Sequence, residues 1–129
     1  MGNRSLTRVM DKKGKVIIEL YCQYDGYPEG MGKELIDFIK GKKLVNGIGV
    51  DRNVFNGMYD FAAQLVSHLK GDQVGNVYLY PPSDRITNIK KLCDKYGVEY
   101  LYTINSKLEV KCRDFDAKRV DLKKFSTEL

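Results

Sequence analysis

Two short runs rich in apolar residues lie on either side of Asp11-Lys12-Lys13-Gly14, and this arrangement constrains the fold more than anything else in the chain. In the second run Val16, Ile18, Leu20 and Cys22 alternate with Ile17, Glu19, Tyr21 and Gln23. Successive side chains of an extended chain point to opposite faces, so the first set is expected to face a core. A four-residue polar turn ending in glycine suits a hairpin connection. Residues 5–10 and 15–24 are therefore predicted to pair as a β-hairpin whose apolar face must be covered.

The cover is supplied by segments with helical periodicity. Met31, Leu35, Phe38 and Ile39 form one stripe of a helix predicted over 29–40 and stopped by Gly41. A second helix is predicted over 57–70, with Asn56 as N-cap and Gly71 past its end. Its buried face comprises Met58, Phe61, Ala62, Leu65, Val66 and Leu69. Between them, residues 42–56 lack periodicity and read as a long loop with one short extended piece. Gly75 to Tyr80 is a short strand ended by Pro81-Pro82. Ser83 is predicted to cap a third helix over 84–95, carrying Ile86, Ile89 and Cys93 on one side and stopped by Gly97. Val98–Ile104 and Lys107–Arg113 flank Asn105-Ser106 as a second hairpin, and the tail suggests a short amphipathic helix around Val120, Leu122 and Phe125. Residues 1–129 thus read as one α+β domain. Its sheet is mostly antiparallel, of about five strands (two hairpins plus one strand), with two or three helices packed on one face.

A chain of 129 residues, 43% hydrophobic and 30% charged, can bury one core and is not of disordered composition. No apolar run is long enough for a membrane span, and the N-terminus has no stretch for a signal peptide. Gly2 is followed by Leu6 where myristoylation requires Ser or Thr. The expected location is cytoplasmic, with no membrane partner. Cys22, Cys93 and Cys112 are odd in number and widely spaced, which fits reduced, buried thiols rather than disulfides or a zinc knuckle.

Catalytic signatures are sparse. His68 is the only histidine and reads as a surface residue, so a two-histidine metal site is excluded. No local motif brings a cysteine to His68. Asp25 and Glu29 could act as an acid/base pair, the basis for an alternative reading as a small metal-dependent hydrolase or nuclease. No catalytic residue, cofactor or metal ligand is assigned. The net charge of +5 permits a polyanionic or nucleotide partner. Arg4, Arg8, Lys12, Lys13 and Lys15 cluster on the first hairpin, either as a solvated face or as a nucleic-acid contact without a reading-helix motif.

The most distinctive segment is Tyr24-Asp25-Gly26-Tyr27-Pro28-Glu29-Gly30-Met31-Gly32-Lys33, which joins a strand to a helix. Its glycines would let backbone approach a ligand, and helix-start N–H groups attract anions. Its spacing is not that of a P-loop, and Asp25 and Glu29 suit ribose hydroxyls or a base edge better than phosphate. The alternative is that Pro28 and Glu29 simply start a helix. Tyrosines form the second candidate. Tyr78 and Tyr80 share a strand face, Tyr21 faces away from the core, and Tyr100 and Tyr102 share a face of a later strand. Should these faces coincide, they make a platform ringed by Lys107, Lys111 and Arg113, suited to base stacking or to self-association. The candidate ligand-binding set is Arg4, Tyr24, Asp25, Gly26, Tyr27, Glu29, Gly30, Gly32, Lys33, Tyr78 and Tyr80.

Met1-Gly-Asn-Arg-Ser5 and Tyr21-Cys-Gln-Tyr-Asp-Gly-Tyr-Pro-Glu-Gly-Met-Gly32 resemble a family of small bacteriophage, prophage and bacterial proteins of unassigned activity. Its members carry an N-terminal Gly-x-Arg-Ser and a Tyr-x-x-x-Asp-Gly-Tyr-Pro-x-Gly-x-Gly loop. Val45-Asn-Gly-Ile48, Phe55-Asn-Gly57, Ala62-Ala-Gln-Leu-Val66 and Tyr78-Leu-Tyr-Pro81 extend the resemblance over most of residues 1–82. It implies a viral setting, hence the host cytoplasm, and by analogy a role against host defence signalling. Residues and resemblance together lead to a non-enzymatic, homo-oligomeric binding protein that captures a small nucleotide-like anionic ligand. The alternative is a protein–protein inhibitor or assembly factor that engages a host protein through the tyrosine-rich sheet face.

Overall fold

The computed structural model describes residues 3–45, 54–82 and 88–123. The expected first hairpin is β1 (Ser5–Met10) and β2 (Val16–Cys22), antiparallel, with a register shift between Val9 and Met10. A wide, π-helical turn (Pro28–Gly32) runs into α1 (Lys33–Ile39). β3 (Lys43–Val45) and β4 (Val54–Asn56) then pair in parallel as a small separate sheet. These are two extended pieces where the sequence suggested one. α2 (Gly57–Lys70), β5 (Val77–Tyr80), α3 (Ile89–Tyr96), β6 (Tyr100–Ile104), β7 (Val110–Asp114) and β8 (Arg119–Val120) follow.

Six strands form the main sheet, in the order β5-β2-β1-β6-β7-β8. Every pair in it is antiparallel except β1 with β6. The fold is α+β with a mostly antiparallel sheet. α1 and α2 share one face: Leu35, Phe38, Phe61 and Leu65 pack with Val9, Leu20, Tyr102 and Ile104 in the larger core. α3 covers the other face, where Leu92, Cys93 and Val98 pack against Leu6 and Leu101.

Local chemistry modifies several expected boundaries. Asn56 precedes α2, but its side chain does not cap; Asp60 instead accepts the Asn56 backbone N–H at 2.8 Å. The described third helix begins at Ile89 with Asn88 as cap, its side chain accepting from the Lys91 N–H. The expected cap Ser83 and residue Ile86 lie outside the described residues. The second hairpin turns over a longer stretch, because Asn105 accepts from the N–H groups of Lys107 and Glu109 and the chain reverses at Leu108, φ 59°. Val120, expected in a tail helix, is instead in β8, returned onto β7 by a turn in which Asp114 accepts from Asp116 and Lys118. Phe125, the far end of that expected helix, lies outside the described residues.

Arg8 departs from its expected place on a solvated basic face. Its strand parity turns it toward the α3 side, opposite Glu19. Arg8 Nε lies 2.9 Å from Glu19 Oε2, and the Glu19 side chain is wholly buried. The Tyr96 hydroxyl donates to Glu19 Oε1 at 3.1 Å, and the Tyr96 ring stacks on Tyr80 at 5.2 Å. A buried carboxylate deprived of its cation is far costlier than the intact pair. Arg8→Met alone should therefore destabilise the fold by about 3–5 kcal/mol, while Arg8→Met with Glu19→Leu recovers most of that loss. Urea unfolding of both variants measures the difference.

Candidate functional site

The loop between β2 and α1 is built from its own contacts. A Cβ on Gly26 would lie 2.8 Å from the Asn3 carbonyl oxygen, the Arg4 carbonyl carbon and the Ser5 Cβ. One on Gly30 would lie 2.5 Å from the Asp25 carbonyl oxygen, and one on Gly32 3.0 Å from Leu122. The glycines thus make room for the protein itself. The backbone donors that an anion would need are engaged as well. Gly26 donates to Asn3, Gly30 to Tyr27, and Met31 to Asp25 and Tyr27, all at 2.7–3.0 Å. Asp25 takes a left-handed conformation, φ 55°, which a short polar side chain tolerates. From the far side, the Tyr102 hydroxyl donates to the Gly26 carbonyl at 2.7 Å.

Of the sequence-selected residues, Tyr24, Asp25 and Gly30 come together in a groove of about 470 Å³ with Glu34, His68, Gln73 and Asn76. His68 is half-exposed there, bonded to Glu34 at 2.6 Å and stacked on Phe38 with centroids 4.6 Å apart. The Asn76 amide donates to the Leu69 and Lys70 carbonyls. The other selected residues lie elsewhere. Gly26 and Gly32 are buried, Glu29 is exposed, Tyr27 is half-buried with its hydroxyl donating to Asp25, and Lys33 pairs with Asp37 at 2.9 Å. Arg4 sits beside Gly97, its N–H donating to Glu99.

Tyr78 and Tyr80 lie across the sheet from this groove. Tyr21 meets them at 5.8 and 5.9 Å, and α3 adds Tyr96 to the cluster. Tyr100 and Tyr102 do not join it. The parallel register pairs Tyr100 with Ser5 and Tyr102 with Thr7, which places both on the α1–α2 side. The tyrosine platform is therefore split between the two faces.

A larger concavity joins residues far apart in the sequence. A groove of about 1200 Å³ runs between the end of α1 with β3 and the β7–β8 hairpin. Lys40, Lys42 and Lys43 line one side. Lys107 and Lys123 line the other; Lys111, Arg113 and Arg119 border it as well, but their register opposite Thr103 and Leu101 turns their side chains toward the α3 face. Glu109 and Asp121 are its only carboxylates among the described residues, so cations outnumber anions here. Ile36, Ile39, Leu44, Leu108, Val110 and Val120 supply an aliphatic lining. Lys42 is held over the Phe38 ring, 4.2 Å from its centroid. Lys107, Lys111 and Arg113 were conspicuous in the sequence, but as the rim of a tyrosine face. The Lys40-Gly-Lys-Lys43 run after the helix was the available signal for the opposite wall.

The three thiols are free and buried. Burial pushes Cys22 up to about 12, with the Ser5 hydroxyl opposing, and likewise pushes Cys93 to about 11 and Cys112 to about 12. Protonated thiols are poor nucleophiles. Among the described residues no group of three or more His, Cys, Asp or Glu could hold a metal, and no helix is long and apolar enough to cross a membrane.

No protein-family profile matches the chain, and neither does any curated protein or solved structure.

Two outcomes follow from this geometry. Gly26→Ala should destabilise the protein by about 1–3 kcal/mol, since the new methyl meets backbone rather than a movable side chain; thermal unfolding reads this directly. The raised thiols make stability fall in alkali. From the ordinary thiol value of 9.0 up to about 12, the native state keeps protons that the unfolded chain releases, so each rise in pH favours unfolding. Melting temperature should drop steadily through that window, and less steeply in Cys112→Ala.

Proposed function

We infer that this chain is a non-enzymatic binding protein that captures a nucleotide-like anionic ligand in the cationic groove between α1–β3 and β7–β8. The observation that carries the reading is the gathering of five lysines, Lys40, Lys42, Lys43, Lys107 and Lys123, against two carboxylates over an aliphatic lining. Such a site attracts phosphate through charge and accepts sugar or base through apolar contact. The loop after β2 is not given the ligand's sugar or base edges here, because its Gly26, Gly30 and Met31 N–H groups already serve Asn3, Asp25 and Tyr27. Its task is to set the entry of α1, and α1 forms one wall of the groove. In the viral setting that the sequence resemblance implies, capture of a signalling nucleotide would counter host defence.

Thermal-shift and calorimetric screening with linear and cyclic nucleotides at low salt tests this. A true ligand at a hundredfold its Kd should raise the melting temperature by roughly 5–10 °C. The triple variant Lys40→Glu, Lys43→Glu, Lys107→Glu should abolish the shift. If no nucleotide stabilises the folded protein, the reading is wrong.

A second reading, contact with another protein, is favoured by β5. This edge strand leaves Tyr78 45% and Leu79 60% exposed. An exposed apolar edge is a ready surface for strand or side-chain association.

A further inference from the structure

We propose that the anion taken by this groove is a single-stranded nucleic acid several nucleotides long, held without readout of sequence. The proposal rests on the reading that the groove is the ligand site and specifies its occupant. The lysines come from four separate segments: the end of α1, β3, the turn before β7 and the stretch after β8. A mononucleotide carries its charge at one end and can engage few of them. A strand carries one phosphate per nucleotide and can engage many.

Size points the same way. The groove's 1200 Å³ exceeds the roughly 300–1,000 Å³ typical of a small-molecule pocket. The lining decides between polyanions. Ile36, Ile39, Leu44 and Val110 offer no hydrogen-bond code, but they give sugars and exposed base faces an apolar contact. A duplex keeps its bases stacked inside, and inorganic polyphosphate has no apolar part, so neither would use that surface. No aromatic ring lines the groove among the described residues, so affinity comes chiefly from phosphate neutralisation rather than from stacking.

The experiment is fluorescence anisotropy on the intact chain with labelled twelve-nucleotide oligo-dT and oligo-U, competed by AMP, ATP, the matching duplex and polyphosphate. Both oligonucleotides should bind at least tenfold more tightly than either mononucleotide. If about five phosphates are neutralised, affinity should fall about a hundredfold between roughly 50 and 200 mM salt. Lys40→Glu with Lys43→Glu and Lys107→Glu should abolish binding. Lys12→Glu with Lys13→Glu and Lys15→Glu makes the same charge change on the exposed β1–β2 turn and should leave most of it. Circular dichroism confirms that both variants fold. Equal loss in the two triple variants would assign binding to net charge and overturn the proposal. So would competition by duplex or polyphosphate as effective as by the single strand. Mononucleotide binding with no gain for oligonucleotides overturns this inference and leaves the proposed function standing. Absence of binding by either removes both.

Discussion

The hydrogen bond from the Tyr102 hydroxyl to the Gly26 carbonyl organises the α1–α2 side of the molecule. Tyr102 is wholly buried on β6, next to the central strand. Burial pushes its phenol well above the ordinary range, so the hydroxyl keeps its proton and serves as a donor at all ordinary pH. Its one accepting partner lies in the loop between β2 and α1. The same ring packs beside Gly32, 3.5 Å from where a Cβ would stand, with Leu122 closer at 3.0 Å. Anchored this way, the loop delivers α1 over the sheet at a set position, and the end of α1 becomes a wall of the cationic groove.

The two sheet faces carry different chemistry, and the parallel pairing of β1 with β6 separates them. On the α1–α2 side the core is aliphatic and aromatic, with buried thiols at Cys22 and Cys112. On the α3 side the sheet holds the Arg8–Glu19 ion pair, covered by Tyr96 and Tyr80. A buried ion pair adds little net stability compared with apolar residues, but it penalises any pairing that separates its members. A one-residue slip of β2 against β1 would move Glu19 to the other face and leave Arg8 unpaired in the core. The pair therefore protects the register on which the tyrosine positions depend.

Much of the fold was legible because it is local. The alternation of Val16 to Gln23, the stripe of α2 and glycines such as Gly41, Gly71 and Gly97, all at positive φ, act within a few residues of themselves. Less of the site was legible. Tyr24, Asp25 and Gly30 do line a groove together, but Arg4, Lys33, Tyr78 and Tyr80 lie outside it. Gly-rich composition looks the same whether the space beside a glycine admits a ligand or the protein's own backbone. At Gly26 and Gly30 the neighbouring atoms are the protein's own backbone, with the Cβ of Ser5 and of Asp25 beside it.

The sequence by itself determined the hairpins, the helices and the reduced state expected of the thiols, because hydrogen bonds and side-chain periodicity within each segment set them. Only the tertiary structure decided which face each strand turns to its neighbours, and so parted Tyr100 and Tyr102 from Tyr78 and Tyr80. It also decided that Lys40 to Lys43 meet Lys107 and Lys123 across one groove. Charges more than sixty residues apart become neighbours only through the sheet order, which no local pattern encodes.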